Sequence, residues 1–300
     1  MRIAVLTNVR TDTFFLALWV AYYGSLFGRE NLHIMLDGDD WTPQVDLTGV
    51  NLHVVPDVPR DRPQRLGFTS RWQSRHAAAL LKGGADLVLR TDIDEFVAAD
   101  PACGRDLPAL LARLPQDAAA AALGLDIIQG PDEGPLDPAT PILAQRRHAI
   151  LTREFCKLVA IRRPVRWVGG FHRARDVGID IPQGLLLFHL ALFDRAAAEA
   201  RISQRKTAAE HATQGAHIAD RLSRFAEVAT PAPPAFDALA TAARTHVMAS
   251  IPSRSGPHPG HIPDANSARG HHLHLPERMS ALLPAPATAH SLYSQPEATP

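Results

Sequence analysis

Apolar residues in the first third of the chain follow two alternating patterns. Continuous apolar runs predict short buried strands at 1–7, 32–36, 50–55 and 87–89. Apolar side chains at helical spacing predict two helices, Thr11 or Asp12 to Gly28 and Thr69 or Ser70 to Gly83. Strands that alternate with helices are typical of an α/β domain built on a mostly parallel sheet.

The same patterns continue to about residue 228, after which the composition changes. Further elements are predicted at Leu107–Leu114 (helix), Ala118–Ile128, Phe155–Ile161 and Leu185–Leu192 (strands), and Asp194 to about His211 (helix). Beyond residue 229, Pro, Ala, Gly and Ser are frequent. We therefore expect a domain over 1–228, a docking helix within 229–250, at Phe236–Met248, and a low-complexity, disordered tail over 251–300.

Polar and acidic residues follow three of the predicted strands. Thr7-Asn8 ends the first strand, Asp37 to Asp40 follow the second, and Asp92 to Glu95 follow the fourth. In parallel sheets ligands bind outside the carboxyl ends of the strands. The pattern therefore predicts a ligand site where these three strand ends meet.

The overall charge and the cysteines exclude several classes of protein. The 31 basic and 31 acidic side chains give zero formal net charge, which argues against nucleic-acid binding through bulk positive charge. The two cysteines, Cys103 and Cys156, form no paired motif, which favours a reducing, cytoplasmic setting. No apolar run reaches the roughly 20 residues of a membrane span, so we expect no transmembrane segment.

The acidic group after the fourth strand is the strongest chemical signal in the sequence. Asp92, Asp94 and Glu95 lie within four positions. On an extended chain Asp92 and Asp94 point to the same side, where one Mg²⁺ or Mn²⁺ ion can bridge them to the phosphates of a substrate. A solvated acidic turn is the alternative interpretation. Haloacid dehalogenase phosphatases also carry two aspartates after a strand, but Phe96 stands where they usually carry Thr or Val.

Two segments resemble the family 2-like GT-A glycosyltransferases, in the bacterial branch whose signature strand ends in D-x-D-E-F. They are Thr7 to Arg10 with the helix Phe15 to Tyr23, and Leu89 to Phe96. The resemblance spans about residues 1–210. It implies a Rossmann-like GT-A nucleotide-diphospho-sugar transferase fold. It also implies metal-dependent, inverting transfer of a sugar from a nucleotide-sugar donor to a saccharide, lipid-linked or protein acceptor.

The resemblance also implies roles for individual residues. Thr7, Asn8 and Arg10 would contact the nucleotide, and Asp37 or Asp39 would lie near the nucleoside. Asp92 and Asp94 would hold the metal and the ribose-diphosphate, and His172 or His189 would complete the metal site. An inverting enzyme also requires a carboxylate that takes the acceptor proton. The candidates by position are Glu154, Asp126 and Asp176.

Other functions remain open at this point. Val9, Arg10 and Leu18 depart from the pattern of the family, which motivates a non-catalytic nucleotide-sugar or carbohydrate-binding protein. The same carboxylates would also serve a metal-dependent phosphohydrolase or nucleotidyltransferase. Trp167 is a candidate platform for a sugar ring, and Lys206 is a candidate phosphate contact. The histidine run 271–274, in the expected disordered tail, receives no function.

Overall fold

The computed structural model of the chain describes residues 1–151, 155–168, 170–175, 177, 180–208, 222–226, 228, 236–249 and 271–292. The helices among them include α1 Thr13–Phe27, α2 Arg62–Lys82, α3 Leu107–Ala112, α4 Ile142–Gln145, α5 Arg195–Ala208, α6 Phe236–Ala249 and α7 Ala287–His290. The strands are β1 Ile3–Val9, β2 Leu32–Asp37, β3 Asn51–Val55, β4 Leu87–Arg90, β5 Glu95–Ala99, β6 Ala119–Ala121, β7 Leu123–Ile128, β8 His148–Leu151, β9 Leu158–Ile161, β10 Arg166–Trp167, β11 Ala174–Arg175, β12 Leu185–Leu192 and β13 His271–His274. None of these helices is both long and apolar enough to cross a membrane.

The central sheet is mostly parallel, as the strand and helix pattern predicts. Its strand order is β3-β2-β1-β4-β9-β6, in which β3, β2, β1 and β4 are parallel to one another. The last two strands are antiparallel to their neighbours. The α/β class and the mostly parallel central sheet are therefore confirmed, while the narrower GT-A assignment stays a prediction.

A second sheet, of order β13-β8-β7-β12-β5, receives its strands from several parts of the chain. The fully buried strand β12 pairs with β7 in parallel and with β5 antiparallel. Because β4 belongs to the central sheet and β5 to the second sheet, residues 91–94 connect the two. The acidic motif is therefore the crossing point between the sheets.

The strand predicted at Ala118–Ile128 is two strands in different sheets. β6 pairs with β9 in the central sheet, whereas β7 lies between β8 and β12 in the second. Gly124 lies so close to Phe155 that an added Cβ would be 2.1 Å from its carbonyl carbon. A continuous apolar run does not reveal such a change of sheet, because both halves are equally buried.

Helix α1 is largely buried, and its side chains form hydrogen bonds to residues on both sides of the acidic motif. The Asp12 carboxylate accepts a hydrogen bond from Phe15 N (3.1 Å) at the start of the helix. The buried indole of Trp19 donates to Thr91 Oγ1 (2.9 Å). The Tyr23 hydroxyl accepts from Val97 N (2.8 Å) in β5. These bonds satisfy polar atoms inside an apolar layer and fix both ends of the motif.

Helix α2 begins earlier than the predicted Thr69 or Ser70. Asp61 is its N-cap and accepts a hydrogen bond from Gln64 N (3.2 Å), and Pro63 lies in the first turn. An acidic cap followed by proline is a helix-start signal in its own right. The predicted start was therefore about two turns late.

The predicted disordered tail is wrong for residues 271–292. Strand β13 pairs antiparallel with β8, and four side chains of this segment are buried in the core, at Leu273, Leu275, Met279 and Leu283. The Arg278 guanidinium binds the carboxylate of Asp100 (2.8 and 3.0 Å). The surrounding Pro, Ala and Ser hide this apolar alternation in an averaged composition. The remaining tail positions, 251–270 and 293–300, lie outside the described residues.

Candidate functional site

The three predicted strand ends meet at one edge of the central sheet. In the parallel pairing of β1 with β2, Val9 lies opposite Leu36. In the pairing of β1 with β4, Leu6 lies opposite Arg90. The residues that follow these strands therefore form a continuous rim, which confirms the expected convergence. Below we call it the strand-end rim.

At one side of the strand-end rim, Arg10 clamps the turn after β2. Its guanidinium donates to both carboxylate oxygens of Asp40 (2.8 Å each) and to the carbonyl of Asp37 (2.6 Å). The hydrogen bond from Arg10 holds the pKa of Asp40 well below its usual range. Gly38 has φ +96°, and a Cβ there would lie 2.5 Å from Arg10 Nη1. The turn therefore requires glycine at this position.

The carboxylates proposed to lie near the nucleoside differ in their surroundings. Asp37 is buried, and Arg60 Nη1 lies 3.4 Å from its Oδ1. Burial raises the pKa of Asp37 against the opposing charges of Arg65, Arg10 and Arg60. Asp39 is exposed. Asp37 is thus held in place by the fold, whereas Asp39 faces solvent.

A chain of buried polar side chains leads from β1 to the acidic motif. Gln73 of α2, fully buried, donates to Asn8 Oδ1 (2.7 Å) and accepts from Arg90 Nε (2.8 Å). The Arg90 guanidinium also lies 3.2 Å from the centre of the Phe171 ring, a cation–π contact. The sequence reasoning missed Gln73, Arg90 and Phe171. The buried Thr7 Oγ1 has no hydrogen-bond partner among the described residues.

Two buried cationic side chains, Arg90 and Lys157, pair with Asp92 and Glu95. Arg90 and Lys157 both bind the Asp92 carboxylate, Lys157 Nζ at 2.5 Å from Oδ2. Lys157 Nζ also lies 2.6 Å from Glu95 Oε1, and Glu95 Oε2 accepts from Asp92 N (2.9 Å). Loss of Lys157 would leave the buried carboxylate of Glu95 without a cation, which costs about 3–5 kcal/mol.

The protonation states of this group follow from the same contacts. Burial opposes ionisation of Asp92, but the charges of Arg90 and Lys157 outweigh it and hold the Asp92 pKa far below its usual range. Burial also opposes the charge on Lys157, yet Asp92 and Glu95 raise the Lys157 pKa. Burial and then Asp92 raise the pKa of Glu95. Lys157 stands beside an apolar strand at 158–161, and that position was its only signal in the sequence.

Asp94, the second aspartate of the motif, lies apart from this ion-pair group and beside His189. Its Oδ2 is 3.6 Å from His189 Nε2. The other ring nitrogen, Nδ1, bonds to Asp126 Oδ1 (2.6 Å), and Arg224 Nη1 lies 2.9 Å from Asp126 Oδ2. The ring of Phe155 stacks on the imidazole with centroids 4.0 Å apart. Strand pairing produces the arrangement, since His189 lies opposite Asp126 in β7 and Glu95 in β5.

This geometry does not support Asp126 as the catalytic base. Its side chain is fully buried, and its two oxygens face His189 and Arg224. Asp126 instead orients His189, since a carboxylate on Nδ1 directs the lone pair of Nε2 towards Asp94. The other two base candidates, Glu154 and Asp176, lie outside the described residues.

The predicted site residues also include His172, Trp167 and Lys206. His172 is half-buried in the turn between β10 and β11, close to Gly170, and Gly170 has φ +81°. Trp167 is buried, and its indole N–H donates to the Leu158 carbonyl (3.3 Å). The prediction that Trp167 is a platform for a sugar ring is therefore wrong. The side chain of Lys206 lies outside the described residues. His189, one of the two candidate histidines, contacts the acidic motif through Asp94.

The residues of the strand-end rim fit a divalent cation in one place. The second ring nitrogen of a metal-bound imidazole usually donates its N–H to a carboxylate, and His189 Nδ1 bonds to Asp126 in this way. Its Nε2 and the Asp94 carboxylate are donors that Mn²⁺ and Mg²⁺ accept beside phosphate oxygens. Asp92 fits a metal less well, because Arg90 and Lys157 already hold both of its oxygens.

Comparisons with known proteins do not assign the chain to a family. No protein-family model matches it, and no curated protein sequence does. It has a weak likeness to the crystal structure of mannose-1-phosphate geranyltransferase from Thermus thermophilus, at 14% identity, over 77% of this chain and 69% of that one, with a TM-score of 0.29. It has another to CMP:2-keto-3-deoxy-manno-octonic acid synthetase complexed with CTP, at 13% identity, over 76% and 87%, with a TM-score of 0.24. Likenesses this low carry no argument about function, and the resemblance to family 2-like GT-A glycosyltransferases stays a prediction.

Proposed function

We propose that the protein is a glycosyltransferase that moves a sugar from a nucleoside-diphosphate donor to an acceptor with the help of Mn²⁺ or Mg²⁺. The observation that carries the proposal is the arrangement of Asp126, His189 and Asp94 beside the strand-end rim. Buried titratable groups that interact in this way cluster at functional sites.

One set of residues in the strand-end rim would bind the nucleotide part of the donor. Thr7, Asn8, Arg10, Asp37 and Asp39 line the side where the nucleotide would bind. The carboxylate of Asp37 and the exposed carboxylate of Asp39 are acceptors for hydroxyl and base N–H groups. Arg10, already bonded to Asp40, brings positive charge towards the phosphates. The rigid turn around Gly38 keeps these groups in place before a ligand arrives.

The acidic motif would hold the diphosphate. Asp94 and His189 would bind the cation, which supplies positive charge to the diphosphate as it leaves. Asp92, fixed by Arg90 and Lys157 and with a third of its side chain exposed, would accept hydrogen bonds from the ribose. Inversion requires a carboxylate base on the acceptor side. Since Asp126 orients His189, Glu154 and Asp176 remain the candidates for that role.

One observation favours a second candidate function. Both oxygens of Asp92 are held by protein cations, so this half of the motif is neutralised without a metal. Neutralisation by protein cations is expected in a non-catalytic protein that binds nucleotide sugars and does not turn them over. The two candidates therefore differ in turnover and not in binding.

A donor panel separates the candidates. The full chain is incubated with UDP-, GDP- and dTDP-sugars, with Mn²⁺, with Mg²⁺ and with chelator. We expect slow, ion-dependent release of the nucleoside diphosphate from one donor, because water replaces the missing acceptor. The same donor should raise the melting temperature only with the ion, because binding to the native state stabilises it.

Other results of the panel would contradict the proposal. A rise in melting temperature without release of the nucleoside diphosphate, even with an acceptor library, would support the non-catalytic candidate. Release of inorganic phosphate, or exchange of labelled pyrophosphate into a nucleotide sugar, would indicate a phosphohydrolase or a nucleotidyltransferase that uses the same carboxylates.

A further inference from the structure

A second group of metal-type side chains lies at the edge of the second sheet, where β13 pairs with β8. It consists of Asp132, His148, His272 and His274, and we call it the edge-strand cluster. Asp132 Oδ1 lies 2.7 Å from His148 Nε2, and His274 Nε2 lies 2.9 Å from that same nitrogen. His272 Nε2 lies 2.9 Å from the other ring nitrogen of His148, Nδ1.

The alternation of β13 produces this cluster. In the antiparallel pairing with β8, His274 lies opposite His148 and Leu273 lies opposite Ala149. Leu273 and Ala149 are both fully buried in the core. Side chains on a strand alternate between faces, so His272 and His274 stand together on the other face, beside His148.

The loop that carries Asp132 is shaped to receive His148. Gly130 faces the imidazole so closely that an added Cβ would lie 2.2 Å from His148 Cδ2. The Glu133 carboxylate accepts from Gly130 N (2.8 Å) and from Arg147 N (2.5 Å), which fastens the loop to the start of β8. Asp132 is thereby held within reach of the ring.

How far hydrogen bonds satisfy this cluster depends on the tautomer of His148. A neutral imidazole carries one N–H, while the two ring nitrogens of His148 face three polar groups. If Nδ1 carries the proton and donates to His272, Nε2 turns its lone pair towards the Asp132 carboxylate and the ring nitrogen of His274. A cation among these three atoms satisfies all of them at once.

We propose that Asp132, His148 and His274 bind a divalent cation of the zinc class, and that His272 orients His148 by accepting its Nδ1–H. Two imidazoles and one carboxylate are a ligand set of zinc sites, with water in the fourth position. Zinc–nitrogen bonds of 2.0–2.1 Å place tetrahedral ligand atoms about 3.3 Å apart. The donor atoms here need to separate by about half an ångström from their present contacts, which small side-chain rotations supply.

The charges around the cluster suit a cation. Asp132 contributes a carboxylate that is two-thirds exposed and compensates positive charge. An imidazole ligates a metal or accepts a hydrogen bond in its neutral form.

The site would fasten the C-terminal segment to the domain. His148 and His274 are separated by 126 positions in the chain, and a shared ion would link them directly. The proposal does not rest on the proposed transferase activity, because none of its residues belongs to the strand-end rim. Its consequence is an increase in stability when the metal is bound.

Another group of histidines could also hold a metal ion. It consists of His33, His53 and His76. His33 Nδ1 lies 3.4 Å from both His53 Nε2 and His76 Nε2. This group contains no carboxylate to compensate the charge of a cation. A cation is therefore favoured at the edge-strand cluster.

The test is a zinc titration of the full chain after treatment with chelator, followed by thermal unfolding. At about a hundred times the dissociation constant, one bound Zn²⁺ should raise the melting temperature by about 5 °C. Co²⁺ in its place should give the visible absorption bands of tetrahedral coordination. Asp132→Asn and His274→Ala should each weaken binding at least tenfold, while His271→Ala, on the same strand, should bind like the parent.

Asp132→Asn keeps the test decisive if His274→Ala fails to fold, because Asp132 is exposed and its change does not disturb the core. Binding that is unchanged in both cluster variants would overturn the proposal. Loss of the zinc-induced rise in melting temperature in His53→Ala or in His271→Ala would also overturn the proposal, because the ion would then lie elsewhere.

Discussion

Asp94→Asn is expected to reduce sugar transfer at least about a thousandfold while the protein stays folded. The substitution keeps the size of the side chain but removes the negative charge that, with His189, would bind the cation. Loss of such charge stabilisation is worth several kcal/mol in the transition state, and each 1.4 kcal/mol is a factor of ten in rate. The measurement is the rate of nucleoside diphosphate release with the active donor and Mn²⁺.

The matched control for this experiment is Asp117→Asn, at an exposed turn. It removes the same charge and should leave turnover unchanged. The melting temperature of Asp94→Asn without metal should stay within a few degrees of the parent, because the buried ion pairs of Asp92 and Glu95 remain. Turnover of Asp94→Asn near that of the parent, with Mn²⁺ present, would show that Asp94 does not bind the metal.

Deletion of residues 271–300 is expected to unfold the protein or to lower its melting temperature by more than 10 °C. The deletion removes four fully buried side chains, at Leu273, Leu275, Met279 and Leu283. Burying each is worth about 1.5–3 kcal/mol, so together they approach the 5–15 kcal/mol total stability of a typical domain. It also removes Arg278, which pairs with Asp100 and Asp237. Thermal unfolding followed by circular dichroism is the measurement.

Two further variants complete the stability experiment. Deletion of residues 293–300 alone should leave the melting temperature unchanged within about two degrees, because the composition of that stretch is mostly polar and includes two prolines. If the longer deletion does not accumulate in cells, Leu273→Ala should lower the melting temperature by about 5 °C or more. A deletion of 271–300 that melts like the full chain would show that this segment does not stabilise the domain.

Local patterns were sufficient to predict the four parallel strands of the central sheet and the rim at the ends of three of them. The apolar runs of β1, β2 and β4 are each followed by polar residues, and parallel pairing brings such ends together whatever the rest of the chain does. Asp92 and Asp94 were proposed as site residues for the same reason. Their signal lies within a few consecutive positions.

The partners of the acidic motif could not be predicted, because they come from distant parts of the chain. Lys157 is 65 positions from Asp92, and Asp126 reaches His189 only because β7 pairs with β12. Pairing between distant strands leaves no mark in local periodicity. The glycine-bordered loop of His172 is visible in the sequence, whereas the strand pairing that places His189 beside Asp126 is not. The packed C-terminal segment was missed because its few apolar residues are diluted by proline and alanine.

The central claim is that Asp94 and His189 hold the metal and the diphosphate of a nucleotide donor. Its most direct test is a calorimetric titration of Mn²⁺ in the presence of a nucleoside diphosphate, with the parent, His189→Gln and His172→Gln. Glutamine at 189 can keep the hydrogen bond to Asp126 while it removes the imidazole. We predict that His189→Gln weakens manganese binding at least about tenfold and that His172→Gln binds like the parent. Manganese binding that is unchanged in His189→Gln would contradict the assignment of this site.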